Sequence, residues 1–168
     1  MIFFILISLA SLLAGLISRL THRRLDLRGS MRWGMALGFF FTGVDHFVSG
    51  ATRYAPMLPA ALTEHALFWV YLTGAAELLG AVGLLVPARV FERLGLPNLQ
   101  RQAGIWLAVM LLCVVIANIN VALQGQTVQG LEFGAWYFWI RPLLQPVFVL
   151  WALYCVGVWP CPAKLKTS

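Results

Sequence analysis

Residues 71–86, YLTGAAELLGAVGLLV, form an apolar run punctuated by glycine and interrupted by a single carboxylate, Glu77. The run belongs to a longer hydrophobic segment that Pro87 ends, and its length suits a membrane span. A carboxylate near the centre of such a helix costs about 2.5–3.5 kcal/mol on insertion scales. Something elsewhere in the chain must offset that cost.

Composition points to the same class. The chain is 61% hydrophobic and 11% charged, where soluble domains are about 25% charged. Mean hydropathy is +0.83. These values exclude an ordinary soluble domain and predict an all-α integral membrane protein. The net charge of +6 does not argue for nucleic acid, because the basic residues lie in loops between apolar runs and no basic helix or stacking platform is present. Cys113, Cys155 and Cys161 lack CxxC spacing, so a redox pair or a structural zinc site is not supported and no disulfide is expected.

Five spans are predicted: residues 1–20, 33–49, 63–86, 99–122 and 136–158. Positive charges follow the first apolar run instead of preceding it, which favours an uncleaved span over a secretory signal. Thr63 is the expected cap of the third span and Asn98 that of the fourth. Lysine and arginine number ten in the loops at 19–32 and 87–102 and the tail, against Arg53 and Arg141 on the other side. That asymmetry puts the N-terminus outside and the C-terminal tail, with Lys164 and Lys166, in the cytoplasm of a bacterial-type inner membrane.

The spans carry unusual polar residues, and this topology gives each a depth. Asp45, His46, Asn118, Asn120, Gln124, Arg141 and Gln145 fall in the outer half of the bilayer. Glu77, about 12 residues or about 18 Å into its helix, lies near the midplane. Spacings of three and four put Gly34, Gly38, Thr42, Asp45 and His46 on one stripe. Thr73, Gly74, Glu77, Gly80 and Ala81 form another, and Arg141 and Gln145 share a third with Pro142 and Pro146 beside them. Small residues let membrane helices approach and polar ones bond across the contact, so these stripes are expected to face one another. Phe39, Phe40, Phe41, Leu78 and Leu79 fall mostly off the stripes and are expected to face lipid.

Asp45 and Glu77 offer two negative charges and Arg141 one positive charge. Arginine can hold one carboxylate bidentately, leaving the other to His46, the asparagines or a proton. A carboxyl poised in this way can exchange protons with a bound redox carrier. Plainer roles compete: a Glu77–Arg141 pair that locks the bundle, and asparagines that join helices. Haem ligation lacks a second intramembrane histidine, and a metal site of Asp45, His46 and Glu77 lacks motif spacing.

The pieces Arg32-x5-Gly38-x4-Gly43-x2-His46-Phe47, Gly74-x2-Glu77-x2-Gly80, Ala117-Asn118 and Leu144-Gln145 together resemble the DoxX-like family of small four-span membrane proteins, across residues 31–155. The resemblance implies a four-helix membrane bundle over residues 31–158. The N-terminal helix, 1–20, is an addition, and 159–168 form a tail. It also implies association with quinone-linked oxidoreductases. On that reading the chain is a subunit or accessory with no intrinsic cofactor and no redox centre of its own. Glu77, Asp45 and His46 would handle protons, while Arg141, Gln145, Asn118 and Asn120 would line a quinone pocket, and electrons would come from a partner protein. A small proton-coupled permease and a ligand-free membrane scaffold are the alternatives.

Overall fold

The structure is a computed structural model that describes residues 2–21, 25–125, 128, 130–133 and 135–160. Cys161, Lys164 and Lys166, and with them most of the expected tail, lie outside the described residues. Every regular element among the described residues is helical. Four long helices, α2 (Leu27–Val48), α3 (Ala66–Leu85), α5 (Leu99–Gln124) and α6 (Ala135–Cys155), close a ring in which α2 meets α3, α3 meets α5, α5 meets α6 and α6 meets α2. Helix α1 (Ile2–Leu20) packs on α2, and a short α4 (Ala88–Arg93) links α3 to α5.

The segments Ile2–Leu20, Ala60–Leu85, Leu99–Gln124 and Trp136–Cys155 are each long and apolar enough to cross a membrane. Helix α2 is long enough at 22 residues but more polar, carrying Arg28, Arg32, Thr42, Asp45 and His46. Its position explains that composition. Packed against α1, α3 and α6 together, it keeps these polar side chains buried or half-buried, and its exposed side chains, among them Leu37, Phe40, Phe41, Phe47 and Val48, are apolar.

The helix ends follow local chemistry. Asp26 caps α2, its carboxylate accepting from the Gly29 N–H at 2.8 Å, so the helix starts six residues before the expected span. Asn98 caps α5 as expected, accepting from the Arg101 N–H at 3.0 Å. Gly125, at φ 61°, ends that helix in the left-handed region. Thr63 does not cap α3. It sits within a 3-10 segment, Ala60–His65, with its hydroxyl donating back to the Ala60 carbonyl. Pro87 stops α3, and the Gln100 side chain reaches across to donate to the carbonyls of Leu84 and Val86.

Glycine sets how closely the helices approach. A Cβ at Gly34 would collide with the Ser11 hydroxyl and the Ile7 carbonyl oxygen of α1. Gly38 likewise lies against Ile7 and Phe3. These two members of the α2 stripe therefore face α1, while Gly43 and His46 face α3. The stripe divides between two neighbours instead of pointing wholly into the ring. The additional N-terminal helix is thus seated on the bundle, with Ile7 fully buried beside Met35, Phe39 and Phe148. Phe39 accordingly belongs to the core, edge-on to Phe3 at 5.5 Å, whereas Phe40, Phe41 and Leu79 are exposed as expected.

Candidate functional site

The ring is filled by side chains over one half of its length and holds a cavity of about 340 Å³ in the other. Its walls come from the C-terminal halves of α2 and α5 and the N-terminal halves of α3 and α6. Phe3 of α1 lies at its apolar end with Phe39 and Phe148. Tyr54, Met57, Leu58 and Leu62, from the connection between α2 and α3, line the opposite end. That connection is itself wound: a π-helical turn at Gly50–Tyr54 and 3-10 turns at Ala55–Met57 and Ala60–His65. A second apolar cluster, Met57, Val121, Ala122, Val128, Tyr137 and Phe138, packs behind it, so the connection forms a roof.

Five of the seven predicted site residues line this cavity: His46, Glu77, Asn118, Arg141 and Gln145. They converge because α2, α3, α5 and α6 each turn a three-and-four-spaced stripe to the same space. Among the described residues, buried side-chain atoms without a hydrogen-bond partner in the protein are Glu77 Oε2, Asn118 Oδ1 and Arg141 Nη1. All three residues belong to the cavity wall. A buried polar atom left unmade costs about 1–3 kcal/mol, and such atoms are few in native proteins. The three share one cavity wall, so both donor and acceptor capacity face the same space.

Each group has a defined mount. His46 Nδ1 donates to the Thr42 carbonyl at 2.8 Å, which places a proton on that nitrogen because a carbonyl only accepts. The same nitrogen stands 3.5 Å from Glu77 Oε2. The imidazole stacks on the Tyr54 ring, centroids 3.8 Å apart. Arg141 presents its guanidinium to the faces of Tyr137 and Phe138, with Cζ 5.5 and 6.0 Å from the ring centroids. Aromatic faces supply part of the stabilisation that a buried cation needs. Gln145 donates to the Leu111 carbonyl at 2.8 Å and so ties α6 to α5. Pro142 and Pro146 lack the N–H groups that would bond the carbonyls of Phe138 and Pro142, thinning the helical ladder beside Arg141 and Gln145.

The expected division of charge is different in the structure. Arg141 forms no ion pair with either carboxylate; among the described residues the pairs are His46 with Glu77 and Arg53 with Asp45. Asp45 is turned out of the cavity into the roof, accepting from Arg53, from the Tyr54 hydroxyl at 2.8 Å and from the Ser49 hydroxyl at 2.9 Å. Its three donors make it a fastening for the π-helical turn. Asn120 is also outside the cavity wall. It donates to the carbonyls of Met57 and Leu58 at 3.3 and 3.4 Å, holding the roof to α5. Asp45, His46 and Glu77 therefore do not converge, and no group of three or more His, Cys, Asp or Glu able to hold a metal occurs among the described residues. Cys113 and Cys155 are free thiols, Cys113 on the cavity wall and Cys155 in the packed half.

Thr42, on the expected α2 stripe, does line the cavity. Sequence reasoning passed over Tyr54, Trp69 and Phe3 as wall residues, and Arg53 as the partner of Asp45. One signal pointed to the last. Arg53 is the single basic residue in an otherwise uncharged loop, eight positions from an aspartate of the expected second span, and a desolvated carboxylate seeks such a partner.

A family model described as a domain of unknown function (DUF8561) matches residues 35–156, and the chain belongs to that family. No curated protein and no solved structure matches the chain.

Proposed function

We propose that this family member is a multi-pass protein of a bacterial-type inner membrane that binds a quinone headgroup in the α2–α3–α5–α6 cavity. It serves as a subunit or accessory of a quinone-linked oxidoreductase, with electrons supplied by a partner protein. The carrying observation is the convergence of Glu77 Oε2, Asn118 Oδ1 and Arg141 Nη1 on one aromatic-walled cavity. Its volume falls at the lower end of the roughly 300–1,000 Å³ typical of small-molecule sites.

The residue types suit both oxidation states of such a ring. Oxidised ring oxygens accept, and Arg141 supplies a buried donor. Reduced ring hydroxyls donate, and Glu77 and Asn118 supply buried acceptors. Glu77 takes or gives one of the two protons that accompany the two-electron change, the other being exchanged with solvent, and His46, held by the Thr42 carbonyl and stacked on Tyr54, orients Glu77. Asp45 and Asn120 act on the site indirectly, by fastening its roof. The DoxX-like motif around His46 and Glu77 motivates the choice of quinone among flat ligands of mixed polarity.

The same reading makes α2 a fifth span, shielded by its neighbours, with the N-terminus outside and the C-terminus in the cytoplasm. The ten-to-two distribution of lysine and arginine supports it. Reporter fusions after residues 26, 62, 98 and 130 should alternate between cytoplasm and exterior. Protein purified in mild detergent should carry extractable quinone in near-stoichiometric amount, and Arg141→Met or Glu77→Gln should lose most of it while remaining folded. Quinone content that is absent in the parent protein, or identical in both variants, removes the proposal.

A further inference from the structure

The ring has four helix–helix seams, and three of them are shut alongside the cavity. Between α2 and α3 the backbones nearly touch: a Cβ on Gly74 would lie 2.6 Å from His46 Cβ and 3.2 Å from the Gly43 carbonyl oxygen. Between α5 and α6 the Gln145 carboxamide bonds the Leu111 carbonyl. Between α6 and α2, Phe3 of α1 fills the gap, edge-on to both Phe39 and Phe148. In the described part of the roof, Met57 and Val128 are buried and Asn120 is tied to the backbone above the cavity, while Leu58 and Leu62 line the cavity half-buried.

The fourth seam, between α3 and α5, behaves differently along its length. Toward the C-terminal end of α3 it is tight. A Cβ on Gly80 would stand 2.6 Å from Leu107 Cδ2, and one on Gly83 would stand 2.8 Å from Ala103 Cβ. One turn further along the same two faces, glycine gives way to Glu77, Thr73 and Trp69 on α3 and to Met110, Cys113, Val114 and Ala117 on α5. All seven line the cavity. Trp69 and Cys113 are at once wall residues and exposed on the outside of the bundle. The surface on either side is Phe68, Leu72, Leu112 and Ile116, all exposed and apolar, on two helices that are each long and apolar enough to cross a membrane.

We infer that the cavity is entered sideways from the bilayer, through the α3–α5 seam between Trp69 and Cys113, by an amphiphile that leaves an apolar tail in the lipid. This rests on the reading that the cavity holds a quinone, and it specifies which quinones. The polar headgroup reaches Glu77, Asn118 and Arg141, and its chain follows the seam outward. A tail emerging past Cys113 keeps its apolar surface in hydrocarbon, so the headgroup binds without drawing the tail into water. The doorway therefore selects for membrane-dissolved ligands over water-soluble ones.

Cys113 is a built-in reporter. In full-length protein with Cys155→Ala and Cys161→Ser, a nitroxide on Cys113 should collide more with oxygen dissolved in lipid than with a water-soluble nickel chelate. In nanodiscs, the unlabelled protein should bind a benzoquinone with a ten-carbon tail more tightly than its tail-free counterpart. A bulky maleimide on Cys113 should slow exchange of the tailed quinone about tenfold, the low end of the range over which association rates vary among variants of one interface. Preferential collision with the nickel chelate, or exchange unaffected by the maleimide while both quinones bind, overturns the lateral entrance and leaves the quinone reading standing. A nitroxide in lipid on a protein that binds neither quinone supports the entrance and removes the quinone reading.

Discussion

Toward the C-terminal end of α3, Gly80 and Gly83 draw α5 in until Leu107 and Ala103 rest on the backbone. Toward its N-terminal end the same two faces stand apart around Glu77, Thr73, Cys113 and Asn118. The first region is filled by Met35, Leu84, Leu107, Ala108, Ala152 and Cys155, with side-chain bonds such as Trp151 Nε1–H to the Met31 carbonyl joining its helices. The second holds all three of the buried side-chain polar atoms that lack a hydrogen-bond partner among the described residues. One half of the bundle thus supplies stability by close packing. The other gives up stability to keep polar atoms available, as functional sites generally do.

That contrast predicts opposite responses to substitution. The largest effect should come from the packed side: Gly34→Leu drives a side chain into the Ile7 carbonyl of α1. It should cost about 3 kcal/mol, at the upper end for overpacking, and detergent melts should show it as the largest loss in Tm of this set. A melt like that of the parent protein would mean that α1 is loosely seated and that the packed half ends at α2.

Asp45→Ala comes next. It strips Arg53, Tyr54 and Ser49 of their shared acceptor, and charge-assisted bonds of this kind are worth about 1.5–3 kcal/mol. The loss should be local. Hydrogen exchange across residues 50–62 should quicken about thirtyfold while α5 and α6 keep their protection. Uniform acceleration across the chain would show that roof and bundle open as one unit.

Gly130→Ala should cost about 1 kcal/mol, because its φ of +77° strains any side chain and its Cβ would press on the Arg53 guanidinium. The same exchange experiment reads it, now with a smaller change confined to the roof. Least disruptive of all should be Asn118→Leu. Although Asn118 is 1% exposed, its carboxamide oxygen has no protein partner, so an apolar side chain of similar size should leave Tm unchanged or raise it. A drop of several degrees would mean that Asn118 holds the bundle together and that the two halves are built alike.

The parts of this molecule that repeat every three or four residues were legible in the sequence. Glu77, His46, Arg141 and Gln145 meet because each sits on a periodic stripe of a long helix, and periodicity fixes which side of a helix faces its neighbours. Asn118 is placed near them by its depth in the fourth span. Asp45 and Asn120 lie on or beside those stripes yet point elsewhere. Each is near a helix end, where roof carbonyls and the Arg53 side chain compete for it, and no periodic rule covers a wound loop. Phe39 misled for a related reason. Its burial depends on α1 lying across α2, and Gly34 and Gly38 signal only that some helix comes close. The roof itself, with its π-helical and 3-10 turns, has no pattern from which its path could be read.

Helix α1 lies outside the stretch shared with the family, residues 35–156, yet it covers Gly34 and Gly38 and lends Phe3 to the cavity. The unit recognised by family resemblance and the unit that folds are therefore different objects. A gene fragment trimmed to the family boundary would begin inside α2, without the Asp26 cap and without Gly34, and would leave a trough at Gly38 along its flank. In a membrane such a trough invites another helix. Whatever polypeptide supplies one also chooses the side chain that stands where Phe3 does, and with it the depth of the ligand chamber.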